Sequence, residues 1–256
     1  MDPQPTPDEP PVRRALDDIC AVVAFMTRLP LHAPEFDLAR ACWAFPVAGL
    51  MVGAVGGVIF VAALHFSVPA SGAALLALLG GAILTGALHE DGLADTADGL
   101  GGADPERRLE IMRDSHIGAY GVLALIFSVG LRAAALSVLA SPSAGFAALA
   151  ASAMLSRGLL PAMMHVLPLA SVTGLAAWAG KPNRLAVLVS VGLAGAGAMI
   201  CLGPALGIGG FVFSALAVAT LALVARRLIG GYNGDTLGAA QQSAETAVLI
   251  FIAAAV

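Results

Sequence analysis

The chain has 256 residues, of which 59% are hydrophobic and 12% charged, and its mean hydropathy is +0.89. An ordinary soluble domain is roughly 45–50% apolar and about 25% charged, so this balance excludes a soluble globular fold and indicates an integral membrane protein. A formal net charge of −4, with no basic stripe to neutralise phosphates along a duplex, also excludes a nucleic-acid partner.

The N-terminal MDPQPTPDEPP is acidic and proline-rich, unlike the basic and then apolar start of a secretory signal. Residues 1–12 read as a short disordered tail, and 13–256 as a single integral-membrane domain. From Arg14 to Pro30, the apolar residues Leu16, Ile19, Val22, Val23 and Met26 recur at near-helical spacing. That pattern predicts an amphipathic helix in the cytoplasmic interface or a deeper, re-entrant packing.

A spanning helix needs about 20 mainly apolar residues, and about seven such stretches follow, near 43–66, 71–88, 117–139, 145–165, 185–203, 209–225 and 236–256. The stretches are continuous, whereas barrel strands would alternate with a period of two, so an all-α, polytopic transmembrane helical bundle is expected. Gly49, Gly53, Gly56 and Gly57 let helix backbones approach closely. The three cysteines, Cys20, Cys42 and Cys201, are widely separated. They form neither a disulfide framework nor a zinc pair and read as buried apolar side chains.

Orientation follows from the basic residues. With the N-terminus cytoplasmic, Arg13, Arg14, Arg28, Arg40, Arg107, Arg108, Arg113, Lys181, Arg184, Arg226 and Arg227 all fall on the inner side. The hairpins near Ser67–Ser71, Ser141–Gly145 and Gly203–Gly207 carry no charge, which is the positive-inside pattern. Arg132 and Arg157 lie within spans.

The 30 charged residues are unevenly placed: 11 lie in residues 1–40, none in 41–88, 11 in 89–116 and 8 in 117–256. The internal cluster begins His89-Glu90-Asp91-Gly92-Leu93-Ala94-Asp95-Thr96-Ala97-Asp98-Gly99-Leu100-Gly101-Gly102. On a helix, Asp91, Asp95 and Asp98 project from one face. Like charges so placed repel unless a cation lies between them, and Mg²⁺ takes oxygen ligands of this kind while sharing them with substrate phosphates. Zinc fits less well, because His89 is the only nitrogen donor and no cysteine is near. An acidic loop can also simply solvate a membrane surface, but this one continues directly from an apolar span, where ionisable groups are costly and tend to be functional.

The following Pro105–Arg113 predicts a short helix, with Asp104 as N-cap and Pro105 in its first position. Arg107 and Arg113 either hold a phosphate or pair with Glu106 and Glu110. Arg113, close to Asp114 and His116, is favoured for the phosphate contact. A second polar island, Gly230-Gly231-Tyr232-Asn233-Gly234-Asp235-Thr236-Leu237-Gly238, falls on the same predicted side. Extending the last span back to Thr236 puts Asp235 at its N-cap and leaves Gln241, Gln242 and Glu245 facing the bundle or the headgroups. Arg157 and His165 are eight residues apart and predicted on one helical face. Arg157 is deep enough to need either a carboxylate or an anion.

These residues resemble the cobalamin synthase family, adenosylcobinamide-GDP ribazoletransferases. The strongest match is HEDGLADTADGLGG followed by RRLEIMRDSHIGAYG; FMTRLP, FPVAGL, SRGLLP and NGDTLGA support it. The resemblance runs from about residue 19 to the C-terminus. It is looser over Leu167–Trp178, where Ser171 precedes Gly174-Leu175-Ala176 and no substrate contact carries over. The resemblance implies an enzyme of the bacterial cytoplasmic (inner) membrane with its site facing the cytoplasm. Such an enzyme joins α-ribazole, or its 5′-phosphate, to adenosylcobinamide-GDP, releases GMP and requires Mg²⁺. On this reading Asp91, Asp95 and Asp98 bind the metal, with Glu90 and Asp235 as further ligands. Asp98, or else His89, accepts the ribazole hydroxyl proton. Arg28 and Arg113 hold phosphate oxygens, and His116, Asn233 and Arg157 are further substrate contacts. A homo-oligomer is compatible with the sequence. The rival readings are a CDP-alcohol phosphotransferase or prenyltransferase type, whose aspartate spacings differ, and a divalent-cation transporter, whose site would sit at the midplane, often between repeated halves.

Overall fold

The computed structural model describes residues 11–31, 37–139, 141–171 and 174–256. Among these residues the secondary structure is helical, with no strand. In order the helices are α1 (Pro11–Met26), α2 (Leu38–Ala41), α3 (Phe45–His65), α4 (Ala70–Thr85), α5 (Leu88–Gly99), α6 (Pro105–Arg113), α7 (Ala119–Ser137), α8 (Pro142–Gly158), α9 (Leu160–Val166), α10 (Leu175–Ala179), α11 (Arg184–Leu202), α12 (Pro204–Ile229) and α13 (Gly234–Ala255). A short 3-10 turn joins α2 to α3. Residues 1–10 of the expected tail lie outside the described residues, while residues 11 and 12 already belong to α1.

Among the described residues, six segments are long and apolar enough to cross a membrane: Leu38–His65, Ala119–Ser137, Pro142–Val166, Arg184–Leu202, Pro204–Ile229 and Gly234–Ala255. They match six of the expected spans. The seventh differs, because α4 stops at Thr85 and meets the same criteria only together with α5, from which it is bent by 92°. Gly86 and Ala87 cause the bend, with φ values of +64° and +57°. Their N–H groups donate to the carbonyls of Ile83 at 3.2 Å and Ala82 at 2.8 Å, closing a Schellman cap. A left-handed alanine is disfavoured by about 1–2 kcal/mol, so surrounding contacts must hold it. One of them is the Arg28 N–H, which donates to the Leu84 carbonyl at 2.7 Å.

α8 is the axle of the bundle. Its span is 83% buried, against 22% for α11 and for α12, which present their outer faces to the surroundings. The α3 glycines explain the close approach of α3 to α8. A β-carbon at Gly49 would lie 3.0 Å from the Met154 Cα, and one at Gly53 would lie 2.7 Å from the Ala150 Cα. Both contacts are with backbone, so a larger residue would force the helices apart. The C-terminal half of α1 also packs inward, burying Ala21, Val22 and Met26, while Val12 and Leu16 stay exposed. Asp18 pins it by accepting from Trp43 Nε1 at 3.0 Å and pairing with Arg40 at 2.8 Å. Cys42 is buried as expected and Cys201 half-buried; Cys20 departs from expectation and is exposed, because it lies off the face that α1 packs inward.

α5 crosses α13 where two glycines meet. A β-carbon on Gly92 would lie 2.8 Å from the Asp235 carbonyl oxygen and 3.1 Å from the Gly238 Cα. Beneath this crossing is a buried polar network drawn from four helices. Arg132 of α7 and Arg157 of α8 donate to opposite oxygens of Glu245, at 3.1 and 3.2 Å. Arg132 also lies 3.8 Å from Glu90. Gln241 donates to Glu245 at 2.6 Å and to Ser156 at 2.9 Å, and Gln242 donates to Glu90 at 2.9 Å. Two arginines thus face two glutamates, and the cluster carries no net charge.

The network predicts that Glu245→Ala, which leaves two buried guanidinium groups short of a counter-charge, lowers stability by about 3–5 kcal/mol, read as a lower melting temperature of the detergent-solubilised protein. The crossing predicts that Gly92→Ala is also destabilising. Gly130→Ala, whose added carbon meets nothing within 4 Å, instead leaves stability unchanged or raises it by up to about 1 kcal/mol; equal melting temperatures for the two variants would contradict the packing described.

Candidate active site

The acidic run is helical, as its spacing predicts, and α5 runs from α13 to α7. At its start Glu90 meets Gln242, two turns into α13; near its end Asp98 reaches the first turn of α7. This path separates the carboxylates by their partners. Glu90 turns down into the Arg132 network. Asp98 accepts from the N–H groups of Gly118 at 2.7 Å and Gly121 at 2.9 Å, one on each oxygen. It caps α7 from 20 residues away, satisfying donors that every helix start leaves open. A β-carbon at Gly118 would lie 2.9 Å from the Asp98 carboxyl carbon, so the glycines of that loop make room for the carboxylate.

Asp91 and Asp95 remain, and α13 brings Asp235 to them. The expected N-cap role of Asp235 is taken by Asn233 instead. The Asn233 side chain accepts from the Thr236 N–H at 2.9 Å while the Thr236 hydroxyl accepts from the Asn233 N–H at 3.0 Å, a reciprocal capping box. Asp235 therefore sits in the first turn with its carboxylate free of the capping role, steadied by the Asn233 amide at 2.8 Å. Asp91, Asp98 and Asp235 all lie within electrostatic reach of Asp95. Asp91 is exposed, and Asp95 and Asp235 are half-buried. Among the described residues, no three His, Cys, Asp or Glu side chains already converge at metal-binding geometry.

Of the cationic groups, Arg113 lies beside this patch. Arg113 is exposed, donates to Ser171 Oγ at 3.1 Å, and lies within electrostatic reach of Asp235. Arg107 has the other role left open by the sequence and pairs with Glu110 at 2.7 Å. Arg108 is structural, bonding the carbonyls of Gly102 and Leu228 at 3.0 Å each. Arg28 is exposed, with its guanidinium against Gly86 at the α4–α5 bend, and among the described residues no carboxylate lies within ion-pair distance of it. Asn233 also contacts Met112 of α6 at 3.6 Å, so α6 and the start of α13 form one rim.

Four more of the residues marked in the sequence are placed as follows. Arg157 is 3% exposed and paired with Glu245, which settles its partner as a carboxylate. His165 is not carried on the same continuous helix as Arg157, because α8 ends at Gly158, and its Nδ1 meets the Pro182 carbonyl at 2.8 Å. His116 stands fully exposed, 2.6 Å from Asp114, whose carboxylate raises the imidazole pKa while its own falls. His89 is 4% exposed, and its Nδ1 has no hydrogen-bond partner among the described residues. Sequence reasoning missed the apolar cavity that His89 lines, because its walls come from helices distant in the chain. It also missed Ser171 as the partner of Arg113, since that bond joins α6 to a loop 58 residues away.

The chain matches the family described as cobalamin-5-phosphate synthase over residues 18–253. It is 44% identical to an adenosylcobinamide-GDP ribazoletransferase of Bradyrhizobium diazoefficiens, over 95% of both chains. It is also 44% identical to one of Mesorhizobium japonicum, over 93% of both, and 42% identical to one of Azorhizobium caulinodans, over 93% of this chain and 95% of that one. No solved structure matches. A match over nearly the whole chain includes both the acidic helix and the Asn233–Gly238 island, and places this integral membrane protein in the cobalamin-5-phosphate synthase family.

Proposed function

We propose that this protein transfers a cobinamide phosphate group from adenosylcobinamide-GDP to α-ribazole or its 5′-phosphate, in cobalamin biosynthesis, at the α5–α13 crossing. The observation that carries this reading is the meeting of Asp91, Asp95 and Asp235 from two helices beside exposed Arg113, with exposed Arg28 at the Gly86 bend that leads into α5. The ribazole hydroxyl oxygen bonds to the phosphorus nearer the cobinamide, the diphosphate bridge to guanosine breaks, GMP leaves, and the hydroxyl proton passes to a base.

The residues present fit Mg²⁺ in one particular way. Mg²⁺ commonly uses one or two carboxylates together with waters and substrate phosphates in preference to an all-protein cage. The three acidic side chains match that pattern: they share one region but do not already form a three-ligand cluster. Asp91, Asp95 and Asp235 would hold the ion with the diphosphate. Bound there, it would neutralise charge on the phosphate oxygens and the departing nucleotide.

The remaining residues supply position and charge. Arg113 is placed to hold phosphate oxygens, with Ser171 keeping its guanidinium in line, and Arg28 approaches from the bend. Asp98 acts as a positioning residue, because both oxygens are engaged in fixing α7 beside the site. Glu90 likewise supports the crossing from the buried network. The hydroxyl proton then falls to Asp91 or Asp95, the carboxylates of α5 not committed to holding the fold. The basic residues of the Arg107–Arg113 helix, Lys181–Arg184 and Arg226–Arg227 all belong to this end of the bundle. By the positive-inside rule, this end faces the cytoplasm of a bacterial inner membrane.

Asp91→Asn and Asp95→Asn are expected to insert normally and to lose Mg²⁺-dependent formation of the cobalamin product and GMP by at least about a hundredfold. Asp98→Asn, which keeps one oxygen able to cap α7, is expected to retain more activity than either. Near-normal turnover in both Asp91→Asn and Asp95→Asn, measured with purified protein and both substrates, would sink the assignment.

A further inference from the structure

Beside the carboxylates lies an open cavity of about 170 Å³, lined by α1, α2, α3, α5, α9, α10 and the start of α13. Its walls are apolar and include Phe25, Met26, Phe45, Leu160 and Met164, with Ala176 and Ala179 of α10 on one side. Its polar lining is confined to His89, Asp91 and Asp235. His89 is the inner polar group, 4% exposed, with Nδ1 lacking a hydrogen-bond partner among the described residues. A buried nitrogen left unpartnered is unfavourable, so a ligand that supplies its partner gains from doing so. Phe25 stacks on Trp178 at 6.3 Å, fixing the aromatic wall next to α10.

We propose that this cavity binds the flat apolar base of the ribazole acceptor, with His89 meeting a ring nitrogen and the attached sugar directed toward Asp91 and Asp235. The inference rests on the transferase reading above. The chemistry of the lining selects among the parts of the two substrates. A corrin ring is far too large for such a space. Guanine carries donors and acceptors along most of its edge, and a wall with a single inner polar group would leave them unpaired. A dimethylbenzimidazole has two apolar methyl groups and a basic ring nitrogen, which matches phenylalanine and methionine walls with one imidazole. Such an arrangement, apolar walls with a few placed polar groups, is the usual form of a small-ligand site. Seating the base here puts the sugar hydroxyls at the mouth, where the carboxylates and the diphosphate meet.

The test uses the full-length protein in nanodiscs. Calorimetry with α-ribazole alone should show saturable binding to the wild type, at least tenfold weaker binding to Ala176→Leu, which fills the cavity, and about tenfold weaker binding to His89→Phe, which keeps a ring but removes the nitrogen. In turnover, Ala176→Leu should raise KM for α-ribazole at least tenfold and change KM for adenosylcobinamide-GDP less than twofold. The wild type provides a reading that does not depend on any variant folding: an α-ribazole analogue lacking both ring methyls should show a KM about tenfold higher. Equal KM values for α-ribazole and that analogue, or a rise in KM for the GDP-linked substrate alone, would overturn the cavity assignment while leaving the transferase reading intact. A lipid retained in the cavity and not displaced by α-ribazole in native mass spectrometry would overturn it as well. Absence of any product from the wild type would instead defeat the transferase reading itself.

Discussion

The contact of Gly92 with the first turns of α13 is the constraint on which the site depends. A β-carbon at Gly92 would come within 2.8 Å of the Asp235 carbonyl, and one at Gly238 within 3.1 Å of the His89 carbonyl, so the two backbones touch with nothing between them. Three carboxylates from two helices could not approach one another by their own chemistry, since like charges repel. Backbone contact between glycines brings them together without asking the side chains to attract. The same contact sets the depth of α5, placing Glu90 in the buried network and Asp98 at the start of α7.

The charge arrangement below the crossing explains how so polar a helix is accommodated in an apolar bundle. Ionised groups inside a membrane are tolerated when they are paired and hydrogen-bonded. Arg132 and Arg157 answer Glu245 and Glu90, and Gln241, Gln242, Ser128 and Ser156 add further hydrogen bonds, leaving Glu90 Oε2 and Arg157 Nε without a partner among the described residues. The network joins α5, α7, α8 and α13 at one level, so the carboxylates above it stand on a rigid base. Preorganised charge of this kind is what a phosphoryl-transfer site requires, because positioning and electrostatics do most of the work in such reactions.

Much of this was legible in the sequence wherever the signal was local. Hydropathy located the spans, Asp104 and Pro105 marked the start of α6, and the spacing of Asp91 and Asp95 marked a helical face. The glycines at 49 and 53 pointed to close helix packing. What was not legible depends on partners far along the chain. Asp98 has the spacing of a third ligand, yet it caps a helix 20 residues away. Glu90 belongs to the same run but pairs with residues of α7 and α13. The bend at Gly86–Ala87 lies inside an apolar stretch, where hydropathy reads a straight continuation. Asn233 outcompeted Asp235 as the cap because Thr236 completes a reciprocal box with it, a choice that neighbouring acceptors alone do not reveal. The cavity beside His89 was invisible for the same reason, its walls being assembled from α1, α9 and α10.

In the proposed reaction, carboxylates from α5 and α13 together hold a diphosphate through a shared divalent ion. A structure of the protein in a lipid nanodisc with Mg²⁺ and adenosylcobinamide-GDP would show whether they do. The ion is expected about 2.1 Å from carboxylate oxygens contributed by both helices and in contact with the diphosphate, with Arg113 on the phosphate oxygens. An ion held away from Asp91, Asp95 and Asp235, or a diphosphate bound at the uncharged end of the bundle, would contradict it.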